Sequence, residues 1–315
     1  MDRRGAVEAL ERIVSGVESV IRGKTPAVEA AVIALAADGH LLIEDAPGVG
    51  KTMLAKALAR SIDASFKRVQ ATPDLLPSDI TGVAIYHQSS GEFEFIPGPV
   101  FANVVLVDEI NRTTPRTQSA LLEAMEERQV TAEGFSRAVP TPFFVMATQN
   151  PLEYHGTYPL PEGQLDRFLF TLSLGYLPAA EEAKMIQEQM IDHPIERIAP
   201  VISLSEVEEI QAHVRQTRVE QVVIDYAVGL VNATRNHPDL VLGVSPRGTL
   251  GIIRASQARA LLLGRDYVLP DDVKALAPMV LAHRVSLKPQ LRRGPGAARG
   301  IIADVLNQVP VPVTA

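Results

Sequence analysis

LLIEDAPGVGKTMLAKALA, residues 41–59, carries the strongest structural signal in the chain. It opens on a short apolar run, turns through a loop containing Gly48 and Gly50, and continues from Lys51-Thr52 into good helix formers. The order is strand, loop, helix. In that order the loop of Ala46, Pro47, Gly48, Val49 and Gly50 can turn amides inward around a di- or triphosphate. The helix that follows, with Lys51, Thr52 and Met53 in its first turn, adds its positive end. Lys51 can reach β and γ phosphates, and the Thr52 hydroxyl can ligate Mg²⁺. The pattern G-x-x-x-x-G-K-[ST] fails only at its first position, which Asp45 occupies.

NVVLVDEINR, residues 103–112, carries the second signal. Val104 to Val107 is a continuous apolar run, as in a strand covered on both faces of a parallel sheet. It ends in Asp108-Glu109. Two adjacent carboxylates at the end of a buried strand are costly unless a cation or a reaction uses them. Asp108 suits Mg²⁺, and Glu109 suits polarising a water against a γ-phosphate. An Asp-Glu pair at an exposed strand end is the bland alternative.

Two weaker signals follow. PFFVMATQNP, residues 142–151, is another buried-strand run, and Asn150 at its tip can position the attacking water. LPEGQLDRF, residues 160–168, places Arg167 after an acidic turn, where it can also form an ordinary salt bridge with Asp166 or Glu162.

Together these segments resemble the MoxR branch of the AAA+ ATPases, over nearly the whole chain from about Val17. The resemblance rests on EDAPGVGKT, TPDLLPSDITG, EFEFIPGPVFANVVLVDEINR, TQSALLEAMEERQVT, ATQNPLEYHGTYPLPEGQLDRF and SPRGTL. It implies a P-loop AAA+ core, a parallel sheet flanked by helices with inserted β-hairpins over residues 1–177, and a smaller all-α lid over residues 178–315. It implies an ATPase that uses ATP and Mg²⁺. Lys51 and Thr52 match the Walker A loop, Asp108 and Glu109 the Walker B pair, and Asn150 sensor 1. Arg167 matches the arginine finger, which acts on ATP held by the neighbouring subunit. Arg247 matches sensor 2, which contacts the γ-phosphate of its own subunit. Asp45 is common in this branch, whereas Gly163 stands where Ala is expected. The resemblance further implies a ring, a hexamer, with a chaperone-like role in activating protein complexes. It also implies a partner carrying a von Willebrand factor A domain. The alternative within the same core is a nucleic-acid motor or transcription activator.

Composition agrees with this. The chain has 315 residues, 46% of them apolar, enough for two domains and a sizeable core. It has no cysteine, which excludes disulfides, thiol catalysis and Cys-ligated zinc. The N-terminal MDRRGAVEALERIV lacks an apolar leader segment, and no apolar run approaches the ~20 residues of a membrane span. A cytoplasmic location follows as the expectation. Formal net charge is −7, so a broad basic footprint for nucleic acid is absent.

Val7, Leu10, Val14, Val17 and Ile21 predict an opening amphipathic helix ended by Gly23, with Pro26 in the first turn of the next. A strand is expected over 66–71 and a helix over 117–127. Hairpins are expected over 82–95, around Ser-Ser-Gly, and over 127–140, turning at Glu133-Gly134. Phe93 and Phe95 share one face of the first hairpin, where they can grip a partner or pack against the sheet. After Pro178 strand-like runs give way to helical patterns at 179–191, 204–216, 221–236, 246–263 and 271–284. Lys288, Arg292, Arg293 and Arg299 read as a solvated loop, His213 and His283 as helix-face residues, and VPVPVTA as a frayed tail.

Overall fold

Strands and helices are interleaved from residue 41 to residue 172, and the elements that follow are mostly helices. The computed structural model describes residues 1–89, 91–132, 134–151, 156–190, 194–291 and 296–312. The first part comprises α1 (Arg3–Glu18), α2 (Thr25–Ala36), β1 (Leu41–Glu44), α3 (Lys51–Ser61), β2 (Phe66–Gln70), α4 (Pro77–Thr81), β3 (Gly82–His87) and β4 (Glu92–Pro97). It continues with β5 (Val104–Asp108), α5 (Pro115–Glu127), β6 (Gln129–Ala132), β7 (Phe135–Ala138), β8 (Phe144–Gln149), α6 (Glu162–Leu165) and β9 (Phe170–Leu172). The second part is α7 (Ala179–Gln189), α8 (Leu204–Gln216), α9 (Gln221–Arg235), β10 (Leu240–Leu242), α10 (Pro246–Leu262), α11 (Pro270–Leu281), β11 (Ser286–Leu287) and α12 (Ala297–Gln308).

Five strands form one parallel sheet in the order β2-β5-β8-β1-β9. Both faces are covered, which is why its central strands read as unbroken apolar runs. Leu41 and Ile43 of β1, Val104 and Leu106 of β5, and Phe144 and Met146 of β8 face α1, α2 and α3. Leu42, Val105, Val107, Val145 and Ala147 face Leu121, Leu122 and Met125 of α5. Alternation within each strand thus assigns its residues to two separate cores.

The later helices join the first of these cores. Val207 and Ile210 of α8, Leu230 of α9, Ile252 of α10 and Leu276 of α11 are buried in the same cluster as α1 and α2. Gln211 donates to Leu35 O at 2.9 Å, and an Arg3 guanidinium N–H donates to Arg265 O at 2.6 Å. Helices of the second part therefore stand against α1 and α2.

Several expectations shift. α1 ends at Glu18 rather than at Gly23, and Ile21 reaches the core from the connection that follows. Strands do recur after Pro178, as the β10–β11 pair. Residues 297–308 form a helix that no sequence pattern marked, and it carries Arg299. Arg292 and Arg293 lie outside the described residues, as do Ser90 and Glu133 in the two hairpin turns, Ile191 at the end of a forecast helix, and residues 313–315 of the tail. Both hairpins form, β3 with β4 and β6 with β7. Phe95 packs, with Phe101 at 5.6 Å and the Arg137 guanidinium 3.9 Å above its ring. Phe93 does not: it is 69% exposed, with its ring 5.1 Å from that of Tyr86.

Candidate nucleotide site and its distant arginines

The loop between β1 and α3 is open rather than collapsed. Gly50, with φ of 101°, caps α3, and Gly48 has φ of 82°. Both values belong to the left-handed region that only glycine enters without strain. A Cβ built on either residue would meet no protein atom within 4 Å, so both face clear space. That space is a cavity of about 330 Å³, at the small end of the ~300–1,000 Å³ typical of ligand pockets. Its walls are Gly48, Val49, Gly50 and Met53, residues 20–22 and Lys24 between α1 and α2, residues 175–177 after β9, and Glu182 and Met185 of α7. Lys51 Nζ donates to Asp45 O at 2.8 Å and so arches over the loop. A loop with two glycines facing open space at a helix start, with a lysine across it, suits a phosphate chain.

Asp45 has a structural reason to stand where the usual pattern has glycine. Its carboxylate accepts from Gly175 N at 2.7 Å, Ser173 Oγ at 3.0 Å and Ala46 N at 2.9 Å. Burial pushes this carboxyl up, but those hydrogen bonds outweigh it and hold it below the usual carboxylate range. The clasp joins the phosphate loop to the segment after β9. Lys24 sits beside it and donates to Leu174 O at 2.6 Å and to Gly175 O. Desolvation lowers the Lys24 ammonium's pKa, and Asp45 opposes that shift.

The acidic pair closes β5 next to the loop's sheet edge. Asp108 is buried, and Arg68 Nε donates to its Oδ2 at 2.6 Å. Glu109 adopts φ of 58° and ψ of 48°, a left-handed conformation in which its amide donates to Thr148 Oγ1 at 2.9 Å. Its carboxylate accepts from Gln70 Nε2 at 3.2 Å and from Arg112 at 3.0 Å. Asn150 is buried just after β8, the strand between β1 and β5. Arg68, Gln70 and Arg112 escaped the sequence reading. β2 alternates exposed polar residues with few buried ones, and nothing local tells which carboxylate they meet.

Arg167 and Arg247 are elsewhere. Since every strand of the sheet runs parallel, Asp45, Asp108 and Asn150 share its carboxyl edge. Arg167 precedes β9 at the amino edge, where Leu169 N donates to His40 O at 2.8 Å. There Arg167 Nε lies 2.9 Å from Glu126 Oε2, and Arg247 pairs with Oε1 of the same carboxylate. The last turn of α5, which carries Glu126, is pinned to that edge. Arg128 donates to Phe143 O at 2.7 Å and to Asp38 O at 2.9 Å, and His40 Nε2 meets Met125 O at 3.2 Å. β5 has five residues, which at ~3.3 Å each sets the two edges about 16 Å apart. Arg247 was expected over the γ-phosphate of its own subunit. The packing of the α10 start against Asp166 and Glu126 puts it at the opposite edge instead. Nor do Asp166 or Glu162 pair with Arg167: they bond Arg284 and Ser286.

The description "ATPase family associated with various cellular activities (AAA)" matches residues 40–170, and "AAA lid domain" matches residues 232–304. Chaperone MoxR1 of Mycobacterium tuberculosis is 41% identical over 315 residues, covering 97% of this chain and 83% of its own. The chain belongs to the MoxR family of AAA+ ATPases. Uncharacterized protein YeaC of Bacillus subtilis, a further relative, is 51% identical across 96% of this chain and 95% of its own. The crystal structure of a presumed ATPase from Cytophaga hutchinsonii superposes with a TM-score of 0.91 at 35% identity, over 99% of this chain and 97% of that one. As a MoxR-family protein this chain is an ATPase, with the fold that its motifs implied. Among the described residues no helix is long and apolar enough to cross a membrane.

Proposed function

We propose that ATP binds in the cavity at Gly48–Gly50 and is hydrolysed at the carboxyl edge of the sheet, in a ring whose subunits complete one another's sites. Residues 46–53 hold the phosphates, with Lys51 on the β and γ groups. Thr52 and Asp108 hold Mg²⁺, which supplies charge neutralisation on the phosphate oxygens when bound. Glu109 takes the proton of the attacking water, and Asn150 orients that water. Residues 1–177 act as the nucleotide-binding core and residues 178–315 as the lid.

One observation carries this reading: Arg167 and Arg247 lie at the amino edge, a strand's length from the loop they would have to serve. That place suits arginines that serve the γ-phosphate of an adjacent subunit. A ring of six is the arrangement that the family resemblance implies, with the chain in the cytoplasm.

The work done by the ring is proposed to be chaperone-like: remodelling or activating a protein complex together with a von Willebrand factor A domain partner. A relative named as a chaperone supports it. The exposed aromatic tip residues Phe93 and Phe135 offer apolar contact to a protein client.

The test mixes two inactive variants. Lys51→Ala subunits keep Arg167 but lose the phosphate loop's cation; Arg167→Ala subunits keep the loop. Mixed rings should regain ATPase activity that neither variant has alone. Mixtures no more active than the sum of the two variants would refute the trans arrangement.

A further inference from the structure

We infer that Glu126 is a positioning residue that joins Arg167 and Arg247 into a single two-guanidinium unit. This rests on the proposal above that both arginines serve a neighbouring subunit's phosphate. A carboxylate has two oxygens, and here each meets a different arginine: Oε2 faces Arg167 Nε at 2.9 Å, and Oε1 faces Arg247. Two guanidiniums left side by side without an anion would repel each other and splay. Glu126 is exposed, which leaves the cluster beside solvent and open to a partner.

The engagement of Arg167 is incomplete. Its buried Nε–H has no aligned hydrogen-bond acceptor although the oxygen is close. Neighbouring Arg284 differs: it is buried and donates to Asp166 Oδ1 at 2.7 Å, Phe168 O at 2.7 Å and Leu169 O at 3.1 Å. Arg284 has the bonding of a structural arginine. Arg167 has the bonding of a group held in place for another anion.

A second clasp ties the same two residues at their roots. Asp166, which precedes Arg167, accepts from Ser245 Oγ at 2.8 Å, and Ser245 caps the helix that carries Arg247. Tip and root together make the start of α10 and the finger segment one body. A movement of the lid then moves both arginines against the neighbour's site, which couples one subunit's lid to the next subunit's chemistry.

The test is Glu126→Gln, which keeps the shape and removes the charge, measured in the assembled ring. Assembly and thermal unfolding are checked beside it. The expected result is a fall in kcat of at least about tenfold with KM for ATP changed less than about threefold, because orientation and not nucleotide binding is lost. In the Arg167→Ala background, Glu126→Gln should add no more than about a twofold loss, since residues that act as a unit are not additive. An independent measurement avoids Glu126 altogether. Arg167→Ala/Arg247→Ala should be within about threefold of the worse single variant. Wild-type or faster turnover in Glu126→Gln, or losses that multiply in either double variant, would overturn the inference. If Arg167→Ala itself hydrolyses ATP normally in the ring, the trans reading fails instead. If Arg167→Ala is impaired and Glu126→Gln is not, only the coupling fails.

Discussion

Arg68 Nε lies 2.6 Å from Asp108 Oδ2, so the carboxylate proposed for Mg²⁺ already carries a guanidinium. Arg68 also donates to Gln70 Oε1 at 3.2 Å, and Gln70 in turn holds Glu109, so the edge strand β2 supplies partners to both acidic residues. A cation next to a metal-binding carboxylate competes with the metal. Arg68→Ala should therefore lower the Mg²⁺ concentration for half-maximal ATPase activity, by roughly threefold or more for about 0.7 kcal/mol of relieved competition. Its effect on stability should be small, because the arginine side chain is half-exposed. A Mg²⁺ titration at saturating ATP checks it, and an unchanged or raised midpoint contradicts it.

Lys51 and Glu109 should separate binding from chemistry. Lys51→Ala removes charge-assisted bonds worth about 1.5–3 kcal/mol, so nucleotide affinity should fall roughly 10- to 150-fold. Glu109→Gln should bind ATP as the parent does while kcat falls about 10²–10⁴-fold, the usual contribution of a general base. Fluorescent-nucleotide titration and steady-state turnover on the same preparations decide both.

The Asp45 clasp should matter to the fold before it matters to catalysis. Asp45→Ala removes the acceptor of the part-buried Gly175 amide and of the Ser173 hydroxyl, at a cost of about 0.5–1.5 kcal/mol per hydrogen bond. Denaturant unfolding should show that loss without nucleotide present. Retained stability would mean that the segment after β9 is held by other contacts.

Acid should weaken the amino edge through His40. Its Nδ1 accepts from Val145 N at 3.1 Å while Nε2 faces Met125 O, so the buried ring is held neutral. Burial, and then the Arg128 charge, push it down from 6.5 to about 3. Below pH 6.5 the unfolded chain takes up a proton that the folded chain refuses, so the stabilisation is full above 6.5 and declines toward pH 3. The slope approaches about 1.4 kcal/mol per pH unit from this one group. His40→Gln should lower stability at neutral pH yet flatten the slope below 6.5; an unaltered slope would assign the acid sensitivity to other groups.

Gly163 can be improved on. It lies in the short helix α6, its φ is not positive, and an added Cβ would meet nothing within 4 Å. Gly163→Ala should stabilise by about 0.4–1 kcal/mol through the unfolded chain, with ATPase activity unchanged, as a melting curve and a turnover assay would show.

The phosphate loop, the acidic end of β5 and the apolar runs of β1, β5 and β8 could be read without coordinates. In each of them the chemistry or the periodicity belongs to contiguous residues. The boundaries of α8, α9, α10 and both hairpins were legible for the same reason. Helix α12 was not: its glycine-bearing start carries no side-chain cap, and its apolar stripe of Ile301, Ile302 and Val305 is short. Phe93 and Phe95 share a face by their spacing. Packing against Phe101 and under Arg137 of the neighbouring hairpin distinguishes the packed ring of Phe95 from the exposed one of Phe93.

By itself, then, the order of residues determined that a triphosphate-binding bend precedes a buried acidic strand end, because amides, lysine and carboxylates there are close along the chain. Folding decided which partners they meet. Strand order brings β2, β5 and β8 together, and so assigns Arg68 to Asp108 and Gln70 to Glu109. Docking of the lid on α1 and α2 brings residues 121 positions apart, Glu126 and Arg247, to one ion pair at the edge remote from the phosphate loop. A guanidinium pairs with any carboxylate in reach, and reach over such separations is a property of packing that no local pattern encodes.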